Sequence, residues 1–253
     1  MLTPNEIAKK TIEMGKAKAN LPAYKMILLG IFAGAFIALA GVGATFGNIY
    51  GSKLIGALIF PIGLIMVVLA GSELFTGNNL MIMSWIKGKI TLAKLFKNWG
   101  LVFLGNFIGA SLVALLVVYS GLFDNVFESV IATATTKINL DFLEAIIRGI
   151  FCNFLVCIAV WMSFGAKTAS GKILTIFGPI MLFVLCGFEH SVANMFYGPA
   201  GIFIAFRNGV LVENLNFGSF LLNNLLPVTI GNIIGGAGVV GCSYYLIYIR
   251  NKK

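Results

Sequence analysis

Two glutamates, Glu73 and Glu189, stand inside apolar stretches long enough to cross a lipid bilayer, and that placement admits few folds. A hydrocarbon core of ~30 Å needs about 20 apolar residues per helix, and backbone facing lipid must find its hydrogen bonds internally. Uncharged runs that meet or approach this length are Met26–Ser52, Leu54–Ser72, Asn98–Phe123, Gly149–Ala166, Ile173–Phe188 and Asn214–Ile249. The second continues past Glu73 to Ile86, and the fifth past Glu189 to Phe206. The pattern predicts an all-α integral membrane protein of six transmembrane helices, with helices 2 and 5 broken. Mean hydropathy is +0.97 and only 11% of residues are charged, too few to coat a soluble domain of this size. Residues 1–25 read as a cytoplasmic amphipathic segment, with Thr3–Asn20 either a short helix on the inner leaflet or a solvated tail, 26–249 as the six-helix transmembrane domain, and 250–253 as a short cytoplasmic tail.

Orientation follows from lysine and arginine. With the N-terminus inside, the inner segments hold Lys9, Lys10, Lys16, Lys18, Lys25, Lys87, Lys89, Lys94, Lys97, Lys167, Lys172, Arg250, Lys252 and Lys253. The outer ones hold only Lys53, Lys137, Arg148 and Arg207. Both termini are therefore expected in the cytoplasm, with the chain in the inner or plasma membrane. The net charge of +9 is explained by this bias and calls for no nucleic-acid partner. The first apolar run starts only at Met26, behind a charged segment unlike a cleavable signal peptide. Cys152, Cys157, Cys186 and Cys242 lie in apolar stretches without metal spacing, so neither a metal nor a cofactor is expected.

The chain also repeats itself. Gly71-Ser72-Glu73 is echoed by Gly187-Phe188-Glu189, and Gly105-Asn106 with Gly109 by Gly231-Asn232 with Gly235. Two units of three spans must run in opposite directions. Inverted repeats with interrupted helices point to a transport site at the repeat interface. Around Glu73 the chain reads Ser72-Glu73-Leu74-Phe75-Thr76-Gly77-Asn78-Asn79, and around the second glutamate Glu189-His190-Ser191-Val192-Ala193-Asn194. Unwound backbone at that depth must be buried in protein or line a wet cavity. A helix restarting there turns N–H groups toward the gap, which suits an anion. The carboxylates of Glu73 and Glu189 are expected to accept such N–H groups as structural elements of the breaks. His190, the sole histidine, is an intramembrane ionisable group and the leading functional candidate.

These interruptions resemble the formate/nitrite transporter family. Asn153-Phe154-Leu155-Val156-Cys157-Ile158-Ala159-Val160-Trp161-Met162 and Leu104-Gly105-Asn106 are similar to its fourth and third helices. Phe154 departs from the tryptophan some members carry. The resemblance implies an aquaporin-like protomer with its own pore, assembled as a homopentamer, passing small monovalent weak-acid anions such as formate, nitrite or hydrosulfide. It places pore contacts on His190, Thr76, Asn153, Asn194 and Lys137. It places the constrictions on Leu64, Leu74 and Phe183, with Phe60 and Phe75 beside them. The loop Ser72-Glu73-Leu74-Phe75-Thr76-Gly77 is more similar to the nitrite and hydrosulfide branches than to the formate branch.

An enzyme is not expected: neither HExxH nor GxSxG occurs, and Ser191 and His190 are adjacent on a helix and do not face each other. A neutral-solute channel of the aquaporin type is the alternative, but Asn-Pro-Ala is missing from both breaks. A membrane scaffold would explain the spans and leave the polar breaks without a purpose.

Overall fold

A computed structural model describes residues 1–250, and all of its regular structure is helical. Lys252 and Lys253, counted in the charge bias, lie outside the described residues. The helices are α1 (Pro4–Ala19), α2 (Ala23–Tyr50), α3 (Lys53–Ile59), α4 (Pro61–Leu69), α5 (Phe75–Asn78), α6 (Ile82–Ile86), α7 (Leu92–Tyr119), α8 (Phe127–Ile138), α9 (Phe142–Gly165), α10 (Ala169–Cys186), α11 (Ser191–Arg207) and α12 (Phe217–Tyr248). Five of them, α2, α7, α9, α10 and α12, are long and apolar enough to cross a membrane. The second expected span is shorter, an apolar helix over Lys53–Leu69 whose hydrogen-bond ladder is interrupted at Phe60, where Pro61 lacks an amide donor. It ends at a break, after which α5 and α6 carry the chain on. The outward faces of α2 and α7 stay apolar, as lipid requires, with Phe32, Leu39, Leu112 and Leu116 among the exposed side chains.

Both breaks are built alike. Gly71 (φ +73°) and Gly187 (φ +75°) take left-handed conformations that close α4 and α10, which a side chain would strain. The amides of Ser72 and Phe188 then reach back to the carbonyls of Val67 (2.9 Å) and Phe183 (3.0 Å). Two non-helical residues follow, the second extended, and helix resumes after Leu74 (φ −112°, ψ 123°) and His190 (φ −110°, ψ 115°). Phe75 and Ser191 begin the new helices.

Glycines set how closely the helices approach. Gly105 on α7 meets Gly30 on α2, and Gly231 on α12 meets Gly149 on α9. A Cβ on Gly105 would lie 3.0 Å from the Gly30 Cα, and one on Gly231 3.0 Å from the Gly149 Cα. The obstacle in each case is backbone, which cannot rotate away. Gly231→Ala is therefore expected to cost about 2–3 kcal/mol, the upper range for overpacking. Thermal unfolding of the detergent-solubilised protein reads this as a lowered midpoint, and an unchanged midpoint would contradict the packing.

The N-terminal helix is seated on protein where an inner-leaflet position or a solvated tail was expected. Ile7, Ala8 and Ile12 are buried, Lys10 Nζ donates to the Phe164 carbonyl (2.9 Å), and Ser84 Oγ donates to the Ile12 carbonyl (2.8 Å). The amphipathic pattern is the same for either surface, and here the apolar face finds the ends of α6 and α9.

Candidate functional site

Three cavities follow one another between the two breaks. The first, about 170 Å³, is lined by Lys137, Glu189, His190, Asn194, Tyr197, Phe60 and Phe183 among others. The third, about 310 Å³, is mostly apolar and is lined by Leu64, Leu74, Val160 and Phe164, with Lys18, Glu73 and Asn78 at its polar side. Between them lies a space of about 10 Å³, bounded by Phe60, Phe183 and His190 toward the first and by Leu64 and Leu74 toward the third. So small a space holds one water molecule at most.

His190 and Thr76 join the two halves at this point. His190 Nε2 and Thr76 Oγ1 are 2.9 Å apart, and both residues are buried. The other ring nitrogen, Nδ1, accepts the Ala193 amide at 3.0 Å and so caps the restarted α11. A backbone amide can only donate, so Nδ1 must be unprotonated and the imidazole proton sits on Nε2. The ring therefore presents an N–H donor beside the Thr76 hydroxyl. Phe183 lies against it with centroids 5.8 Å apart.

Each vestibule carries a lysine–glutamate–asparagine cluster. Lys137 Nζ donates to Glu189 Oε1 (2.8 Å), and Asn194 Nδ2 to Glu189 Oε2 (2.6 Å) and to Asn224 Oδ1 (2.8 Å). Lys18 Nζ donates to Glu73 Oε1 (2.8 Å), and Asn78 Nδ2 to Glu73 Oε2 (2.7 Å) and to Asn98 Oδ1 (2.9 Å). The glutamates thus face side-chain donors, where backbone N–H groups of the breaks were expected. A lysine within reach offers a full charge, which an amide cannot match. The clusters differ in one bond. Lys18 also donates to Asn78 Oδ1 (2.9 Å), whereas Lys137 lies 5.4 Å from the centre of the Tyr197 ring and Asn194 Oδ1 has no partner.

Other expectations shift as well. The amides of Phe75, Ser191, Ala193 and Asn194 at the restarted helices are already bonded within the protein, so few remain to face an anion. Phe75 turns into α7, against Trp99 (6.1 Å) and Phe103 (5.0 Å), and lines none of the three cavities. Asn153 lines none either; its Nδ2 donates to the Asn232 carbonyl at 2.6 Å. Lys137, Asn194, His190, Phe60, Phe183, Leu64 and Leu74 all come to the cavities. Lys18 was counted only as an inner charge. The missed signal is that it precedes Gly30 by the same interval as Lys137 precedes Gly149.

The comparisons with known proteins agree with one another. The family model described as "Formate/nitrite transporter" matches residues 5–246. The chain is 44% identical to the uncharacterized transporter YrhG of Bacillus subtilis, over 99% of this chain and 95% of that one. It is 40% identical to the formate channel FocA of Escherichia coli, over 100% and 96%. Among solved structures, a pentameric formate channel with formate bound superposes with a TM-score of 0.80 at 37% identity, covering 90% of this chain and 98% of that one.

Proposed function

The chain belongs to the formate/nitrite transporter family, and from that premise we propose that each protomer is a pore for small monovalent weak-acid anions, formate first among them. The observation that carries this reading is His190, which lines the narrow space between two vestibules and meets Thr76 of the opposite half at 2.9 Å. Formate is favoured over nitrite and hydrosulfide because the relatives named for a substrate are formate channels. A ring of five protomers follows the pentameric neighbour. The matched clusters and breaks support an aquaporin-like plan of two inverted three-span units. With both termini cytoplasmic, Lys18 lies at the inner vestibule and Lys137 at the outer one.

In this mechanism formate enters the outer vestibule and meets the donors of Lys137 left over after Glu189. The pair is neutral as a whole, so it offers hydrogen bonds in place of net charge. Passing Phe60 and Phe183 strips the anion of water, which is costly for a carboxylate and raises its affinity for a proton, and it takes one from vestibule water as His190 and Thr76 receive it. The small acid then crosses with its oxygen held by His190 Nε2–H and the Thr76 hydroxyl. The ring keeps its own proton, since losing it from Nε2 would require taking one at Nδ1 and breaking the Ala193 bond. Beyond Leu64 and Leu74 the acid gives its proton back to water. Hydrated ions of either sign cannot shed their shells here and are excluded.

Lys137→Met tests the entry step. It leaves Glu189 as an unbalanced negative charge at the mouth, and formate uptake into proteoliposomes is expected to fall roughly ten-fold or more at low salt, recovering partly as salt is raised. Uptake equal to wild type at every ionic strength would contradict the role given to Lys137.

A further inference from the structure

Asn106 and Asn232 are fully buried, and each spans one residue of the chain. Asn232 Nδ2 donates to the carbonyl of Glu189 (3.0 Å), and Oδ1 accepts the amide of Ser191 (2.9 Å). The residue between those two peptide groups is His190. Asn106 Nδ2 donates to the carbonyl of Glu73 (2.9 Å), and Oδ1 accepts the amide of Phe75 (2.9 Å), so the residue between is Leu74. The second Nδ2 hydrogen anchors each asparagine to a neighbouring helix, through the carbonyl of Gly149 (2.9 Å) or of Gly30 (2.8 Å). Reversing either amide would set its oxygen against two carbonyls and its NH₂ against an N–H, so the orientation is unambiguous.

Two bonds from one side chain hold the backbone on either side of a single extended residue, and a third ties that side chain to a neighbouring helix. The nearly equal dihedral angles of Leu74 and His190 are the result. What differs is the side chain each clamp aims. We propose that Asn232 and Asn106 are positioning residues with divided tasks: Asn232 sets anion recognition by aiming His190, and Asn106 sets exclusion of hydrated ions by aiming Leu74. His190 Nε2 must meet Thr76 on the opposite half within hydrogen-bond range, and a displacement of about 1 Å ends that contact. Leu74 must close on Leu64 across the same space, and a similar displacement opens a path for water.

The inference rests on the pore reading above, and the two can be told apart in one set of proteoliposomes. Asn232→Ser and Asn106→Ser remove the clamp without adding charge, with Asn232→Asp and Asn106→Asp as alternatives that keep one acceptor. For the Asn232 variants the half-saturating formate concentration is expected to rise on the order of 10-fold, the pH profile to flatten, and chloride to stay excluded. In a His190→Phe background the same substitution should add nothing further. For the Asn106 variants formate flux should still saturate, while chloride flux rises above that of empty liposomes. The same defect at both positions would overturn the division of tasks, as would additivity of Asn232→Ser with His190→Phe. Loss of the assembled protein in the Ser and Asp variants alike would assign the residues to folding alone and equally overturn it. Wild-type liposomes without formate flux would bring down the pore reading itself.

Discussion

His190→Phe is expected to lower formate flux on the order of 100-fold and to abolish its dependence on pH, while the assembled protein remains folded. The ring makes two contacts that phenylalanine cannot replace. Nε2–H faces Thr76 Oγ1 at 2.9 Å, and Nδ1 accepts the Ala193 amide at 3.0 Å. Losing the first leaves a buried oxygen of the crossing acid without a donor, which costs several kcal/mol at a site that admits one water at most. Losing the second removes the cap of α11, worth ~1 kcal/mol, which Asn232 and the Glu189 cluster can offset. Flux should therefore fall far more than stability. Formate uptake as a function of external pH, with size-exclusion chromatography as the control, checks both halves. An unchanged pH profile would remove His190 from the mechanism.

Glu189→Leu should be the most damaging single change to stability, roughly 3–5 kcal/mol. The Glu189 side chain is only 5% exposed and accepts from Lys137 and Asn194 together. Deleting it leaves a part-buried ammonium without its counter-charge and Asn194 with one partner fewer. Breaking a buried pair from one side costs far more than replacing both members. Lys137→Met in the Glu189→Leu background is accordingly expected to restore part of the loss. A fall in the thermal midpoint of the single variant, partly recovered in the double, is the expected result. Equal midpoints for wild type and Glu189→Leu would show that the cluster holds nothing together.

The breaks were legible in the sequence because they set residues against their surroundings. Glu73 and Glu189 in apolar runs, preceded by Gly71 and Gly187, have few structural solutions, and the helices do break there. His190 was legible for the same reason. Partners were not. The Lys18–Glu73 contact joins two residues far apart in the chain, and a lysine on an amphipathic helix reads as solvated unless its place before Gly30 is compared with that of Lys137 before Gly149. The rotation of a restarted helix is equally hidden. α5 is four residues long, too short for a periodicity to show which way Phe75 turns, so it was expected at the pore and lies against Trp99 and Phe103. Asn106 and Asn232 were seen as a repeated motif and not as clamps, because an asparagine in an apolar helix has several partners open to it until the helices are packed.

The most direct test of the central claim is formate uptake into proteoliposomes under an imposed pH gradient with the membrane potential clamped at zero, with nitrite and hydrosulfide run in parallel. Saturable formate uptake that follows the pH gradient and is lost in His190→Phe is the predicted result. Folded, assembled protein that passes no formate under either gradient would contradict it.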